Sequence, residues 1–136
     1  MTKSTVSDAE VKKVIGDFLE MGHAENIIAM FKHDSSYYDW TGELLVDERL
    51  NVRLGLAIIF EELALTDSEQ VKNAIPSLVK VIETEAEPLY RGEALSLLGI
   101  IQDKTVLPVV KNALNDPSPQ VREMAQMVLE ELGDTE

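Results

Sequence analysis

Apolar residues recur along this chain at the i, i+3, i+4, i+7 spacing that puts them on one face of a helix. Val11, Val14, Ile15, Phe18 and Leu19 form the first such stripe, and Ile27, Ile28, Met30 and Phe31 a second, shorter one. Val52, Leu56, Ile59, Phe60 and Leu63 mark a third helix, predicted over 49–65. Val71, Ala74, Ile75, Leu78, Val79 and Ile82 mark a fourth, over 68–84, in which Pro76 either kinks the helix or sets a later start. Ala94, Leu95, Leu97, Leu98 and Ile101 belong to a fifth, over 88–101, with Pro88 suited to its first position. Val106, Leu107, Val110, Ala113 and Leu114, then Val121, Ala125, Val128, Leu129 and Leu132, complete a sixth and a seventh. No alternating run bounded by turn residues predicts a strand.

Polar residues punctuate these stripes. Ser7 and Glu10 have the spacing of a capping box, and Gly22 suits the residue just past a helix end. Thr66-Asp67-Ser68, Asp103 and Ser118 offer N-caps, and Pro119 suits a first helical position. The least regular stretch is 34–47, which holds Tyr37, Tyr38 and Trp40. It reads as a long loop or a loop with one helical turn, and a loop of that length inside a compact fold is often functional.

The stripes repeat. Val52-Arg53, Tyr90-Arg91 and Val121-Arg122 correspond, with the arginines 38 and 31 residues apart (91 − 53 and 122 − 91). Three residues after each arginine come Leu56, Ala94 and Ala125; six after, Ile59, Leu97 and Val128. Seven after come Phe60, Leu98 and Leu129, and ten after, Leu63, Ile101 and Leu132. The preceding halves align on Ile75-Pro76 and Leu107-Pro108, 32 residues apart (108 − 76). A period of this size indicates helix pairs stacked as a solenoid.

Leu107-Pro108, the run from Asn115 to Arg122, then Ala125 and Leu129, resemble a HEAT repeat; Leu89-Tyr90-Arg91, Ala94, Leu98-Gly99 and Ile101-Gln102-Asp103 resemble its second helix. The short period is similar to the HEAT-like repeats associated with phycobilisome lyases. The resemblance covers roughly 47–133. It implies an all-α, right-handed α-α superhelix of about three helix pairs plus an N-terminal helix, with 1–136 as one HEAT-like domain. It also implies structural roles for Arg53, Arg91 and Arg122, which in such repeats brace neighbouring loops, here against acids such as Asp47, Glu87 or Asp116.

Charge narrows the partners. Twenty-five acids against 12 bases leave a net charge of −13. Such a field repels nucleic-acid phosphates and anionic membranes and favours basic partners, besides keeping the protein soluble. No apolar run reaches the ~20 residues of a membrane span and the first residues lack the apolar stretch of a secretory signal, so a cytoplasmic location is expected.

Catalytic motifs are missing from the sequence. It has no phosphate-cradling glycine loop, no dinucleotide fingerprint and no Gly-x-Ser-x-Gly elbow. Without cysteine there is no thiol chemistry. His23 and His33, with Asp34 and Asp39 nearby, lack the i, i+4 spacing of helical metal ligands. Glu61-Glu62 and Glu130-Glu131 are adjacent carboxylates that point ~100° apart on a helix, as on a solvated face. No catalytic residue, metal or cofactor is therefore expected.

Two sets of binding candidates stand. The first is the outward row of the second helices: Leu54, Ile58, Glu61 and Glu62, then Gly92, Glu93, Ser96, Gly99 and Ile100, then Glu123, Met127, Glu130 and Glu131. That row is either an acidic groove with apolar anchors, suited to a basic peptide or amphipathic helix, or a surface covered by the first 46 residues. The second is Tyr37, Tyr38 and Trp40, either an aromatic hot spot on an insertion or a cap over the first helix pair. The expectation is a non-enzymatic protein-interaction module or scaffold binding a basic protein or peptide. The alternatives are an accessory subunit or lyase-like chaperone for a cofactor-bearing enzyme, and a structural homo-oligomer such as a homodimer pairing apolar ends.

Overall fold

The computed structural model describes residues 7–133. Eight α-helices follow one another: α1 (Asp8–Glu20), α2 (Ala24–His33), α3 (Thr41–Leu45), α4 (Leu50–Thr66), α5 (Ile75–Thr84), α6 (Pro88–Ile101), α7 (Leu107–Asn112) and α8 (Pro119–Glu131). Short 3-10 turns at Ser35–Trp40, Gln70–Ala74, Lys104–Val106 and Ala113–Asn115 complete the chain, and no strand occurs among the described residues. Helices α1, α4, α6 and α8 stack side by side as one layer. The other layer is built from α2 and α3, then α5, then α7, each with its 3-10 turns. The protein is thus an all-α helix-pair solenoid: three pairs preceded by α1.

Local chemistry sets the helix ends. Ser7 accepts from the Glu10 amide at 3.2 Å while Glu10 accepts from the Ser7 amide at 3.0 Å, a complete capping box. Gly22 closes α1 with φ +85°; His23 N–H donates to Phe18 O and Gly22 N–H to Leu19 O, the paired bonds of a Schellman cap. Pro76 and Pro108 play matching parts. Each falls in the first turn of its helix, where the missing N–H costs nothing, and a 3-10 turn precedes it. The helix expected over 68–84 accordingly starts at Ile75.

The core runs between the layers from Ile15 to Leu132. At its N-terminal end Phe31, Tyr38 and Phe60 are fully enclosed and meet edge to face, with ring centres 5.1–6.5 Å apart. The 34–47 stretch, expected to hold one helical turn at most, is mostly helical. Its 3-10 turn drives Tyr38 inward, and α3 buries Leu44 and Leu45. Asp34 caps the turn through the Ser36 amide, and Thr41 Oγ1 donates to Tyr38 O at 2.7 Å.

Helix α3 lies so close to α5 that only glycine fits at position 42. A β-carbon there would come within 2.5 Å of the Ser77 carbonyl oxygen, and the Gly42 amide donates to Ser77 Oγ at 2.9 Å. Gly42→Ala is expected to destabilise by about 2 kcal/mol, because backbone must move. Gly92→Ala, where the new carbon meets nothing, should stabilise by about 0.5–1 kcal/mol through helix propensity. Urea midpoints of the two variants check both; equal shifts would mean that the α3–α5 contact is looser than described.

Candidate functional site

The four helices of the α1-α4-α6-α8 layer share an asymmetry. At the N-terminal edge, α4, α6 and α8 each carry an arginine tied to a loop carbonyl. Arg53 donates to Asp47 O at 2.7 Å, Arg91 to Glu85 O at 2.8 Å, and Arg122 to Asp116 O at 2.7 Å. In each case the acceptor lies six residues earlier, so one device recurs three times. Arg91 also reaches forward to the next loop, gripping both Asp116 oxygens at 2.9 Å. Arg53 reaches Glu93 at 3.4 Å. Of the acids expected to pair with these arginines, Asp116 receives Arg91, whereas Asp47 offers Arg53 only its carbonyl. The Asp47 carboxylate goes to Arg49 instead, which also holds Asp17 and Glu20, each at 2.9 Å. Arg49 escaped sequence reading because it sits off the repeat register; its spacing of two from Asp47 was the available signal.

The C-terminal edge is the opposite. None of α1, α4, α6 and α8 has a basic residue in its last turn. The negative ends of these helix dipoles are therefore unneutralised. Glu61 and Glu62 project beside them from α4, and Glu130 and Glu131 from α8. These four carry no ion pair among the described residues.

Two clefts open on this edge. The larger, about 830 Å³, lies between the α1–α2 turn and α4, with His23, Glu25, Asn26, Glu61 and Glu62 as its polar side chains and Ile28, Ile58 and Leu65 as its large apolar ones. The second, about 460 Å³, lies across α4, α6 and α8 and is lined by Glu61, Leu65, Ile100 and Glu131. Glu61 and Leu65 form the ridge common to both. Carboxylates around an apolar floor are suited to an alkyl chain ending in an ammonium group.

The outward row is open. Leu54 is 51% exposed, Ile58 57% and Met127 53%, and α1 and α2 pack on the flank of α4 without covering it. Glu123 is exposed too. Ile100 is half-buried and lines the second cleft, and Glu93 is turned toward Arg53. Gly99 is buried, its β-carbon position taken by the Glu131 carboxylate. The aromatic candidates sit elsewhere. Tyr38 is enclosed with its hydroxyl donating to Asp67 at 2.7 Å, and burial, with that carboxylate, pushes its ionisation well above the usual tyrosine range. Tyr37 stacks on Phe31; half-buried Trp40 lies edge-on to Tyr37, with Lys12 Nζ 5.0 Å above its ring. Tyr38 offers no surface at all. Sequence reading missed Leu65, 82% exposed, and Glu25, although Leu65 falls two helical turns past Ile58 on the same face.

His23 and His33 stand at opposite ends of α2, ~15 Å apart along its axis. Among the described residues no three His, Cys, Asp or Glu side chains gather closely enough to hold a metal ion. No helix among them is long and apolar enough to cross a membrane.

Comparison with known proteins extends this picture. Residues 75–136 match the family model described as HEAT repeats. The chain is 33% identical over 94 residues to deoxyhypusine hydroxylase of Danio rerio, covering 68% of this chain and 29% of that one. Against deoxyhypusine hydroxylase of Candida albicans it is 42% identical over 57 residues, or 41% and 18% of the two chains. It is 51% identical over 53 residues to conserved virulence factor C of Staphylococcus saprophyticus, or 39% and 14%. The chain therefore spans less than a third of the length of these relatives. No solved structure matches. Similarity to deoxyhypusine hydroxylases overturns the expectation of a non-enzymatic interaction module or scaffold, with its accessory-subunit and structural alternatives: the relatives are enzymes. Motif reading did not reveal this relationship, because it looked for compact catalytic motifs. The chain has a HEAT-repeat type fold, related to that of the HEAT-repeat family and the deoxyhypusine hydroxylases.

Proposed function

We propose that this chain takes part in hydroxylase-type chemistry on an amine-bearing, lysine-derived side chain of a protein. In this reading the cleft between the α1–α2 turn and α4 receives that side chain. The observation that carries it is the recurrence of deoxyhypusine hydroxylases among the relatives. Deoxyhypusine is a lysine-derived amine, and the cleft supplies what such a group needs. Ile28, Ile58 and Leu65 accept the alkyl chain, and Glu25, Glu61 and Glu62 accept N–H bonds from the ammonium, beside the negative end of α4. Hydroxylation also needs a centre that activates oxygen. The described residues present no ligand set for a metal, and no chemical step is assigned to them.

Calorimetric titration with a short peptide bearing deoxyhypusine, and with the same peptide N-acetylated at its amines, tests the reading. The amine form is expected to bind, the acetylated form to bind at least about tenfold more weakly, and the double variant Glu61→Gln/Glu62→Gln to lose most of the difference. Equal binding of both peptides would overturn it.

A further inference from the structure

The row beyond the cleft is apolar where a solvated helix face should be polar. Leu50, Leu54, Ile58 and Leu65 share one side of α4 with Glu61, at spacings of four, four, three and four residues counting the glutamate. All four apolar side chains are more than half exposed, over ~22 Å of helix. Beside this ridge the outward face of α6 is low. Gly92 has nothing within 4 Å of where a β-carbon would sit, and Ser96 follows one turn on. Beyond α6, α8 raises Glu123 and Met127, both exposed. The three helices thus form a trough with an apolar wall, a floor of small residues and an acidic C-terminal rim.

From this we infer that the trough docks a basic amphipathic helix of the protein whose side chain is modified, a reading that rests on the function proposed above. The apolar face of that helix lies against Leu54, Ile58 and Met127, and its lysines and arginines reach Glu61, Glu62, Glu130 and Glu131. Charge complementarity selects this occupant. The rim joins four carboxylates without ion pairs to three helix ends without a base in the last turn. A second copy of this chain in the trough would set the same carboxylates against one another in a molecule already at −13. An extended basic tail would satisfy the rim and leave the leucine ridge wet, whereas a helix can lay an apolar stripe of its own along the ridge while its flanks carry bases to the rim. The polarity of the layer also orients the guest, because the arginines at the N-terminal edge are engaged with loops and its bases belong at the acidic end.

Fluorescence anisotropy with a synthetic amphipathic helix of about five turns, leucines on one face and lysines on both flanks, tests this with the full chain. Saturable binding that weakens with salt is expected. A peptide of the same composition without an apolar face, and one with glutamates for lysines, should each bind at least about tenfold more weakly. Gly92→Gln fills the floor at a site with room for it, and Leu54→Ser strips the wall at an exposed position, so neither threatens folding. Each should lower helix affinity about tenfold while leaving the short deoxyhypusine peptide's binding unchanged. Equal binding of the faceless peptide, or helix affinity indifferent to both substitutions, would overturn the docking inference. Failure of the short peptide to prefer its amine form, with helix docking intact, would instead overturn only the proposed function.

Discussion

Tyr38→Ala is expected to lower the unfolding free energy by about 3–5 kcal/mol, among the largest effects of any single substitution here. Its ring is wholly enclosed, edge-on to Phe31 and Phe60 at centre distances of 5.1 and 6.0 Å, so truncation leaves a cavity walled by aromatic faces that cannot collapse. The hydroxyl adds a charge-assisted bond to Asp67, which links the 3-10 turn after α2 to the end of α4. Tyr38→Phe isolates that bond and should cost about 1–2 kcal/mol, since Asp67 keeps partial access to water. Trp40→Ala should cost less than Tyr38→Ala, because Trp40 is only half-buried. Denaturant titration of the three variants gives the order directly. A Trp40 effect as large as that of Tyr38 would contradict this packing.

Asp116→Ala is the second large effect, about 3 kcal/mol destabilising. Arg91 and Asp116 keep 12% and 10% exposure and meet through two parallel bonds of 2.9 Å. Removing the carboxylate strands a mostly buried guanidinium, and that desolvation is the main cost. The Ser118 amide, which donates to Asp116 Oδ1 at 2.9 Å, loses its acceptor as well. Arg122→Ala should cost less, because its guanidinium bonds only carbonyls and is exposed.

The Asp116 effect depends on pH in a defined sense. Arg91, through its hydrogen bonds, holds the Asp116 carboxyl below the usual carboxylate range in the folded protein, and unfolding releases it. The pair's contribution is therefore fully present above the unfolded carboxylate pKa and is lost as pH falls through the lowered folded value. The stability gap between the natural protein and Asp116→Asn should be constant at neutral pH and narrow only in acid. A gap that narrowed on the alkaline side would rule out this pair as its source.

The layers were legible because their chemistry is local and repeated. The Val-Arg and Tyr-Arg pairs and the Leu-Pro and Ile-Pro pairs mark the same register positions in successive units, and each proline falls where a helix begins. The 34–47 stretch was legible only as two alternatives, surface hot spot or packed cap, since its aromatic residues fold inward by way of Asp67, Phe60 and Phe31, contacts that no local pattern encodes. At the site, Leu54, Ile58, Glu61 and Glu62 could be placed on one face from helical spacing alone. Whether that face was open depended on where α1 and α2 pack, and the cleft required residues from α2 that spacing along α4 cannot reveal. The enzymatic relationship was invisible to motif reading and emerged only from relatives.

Backbone amide NMR of the full chain, titrated with the deoxyhypusine-bearing peptide, shows whether the cleft between the α1–α2 turn and α4 receives the amine. Saturable shift changes are expected at Gly22–Asn26 and at Ile58–Leu65, segments that carry the cleft lining, and they should disappear on acetylation of the peptide's amines. Shifts confined to the opposite layer, around α5 and α7, or a response identical for the acetylated peptide, would contradict this.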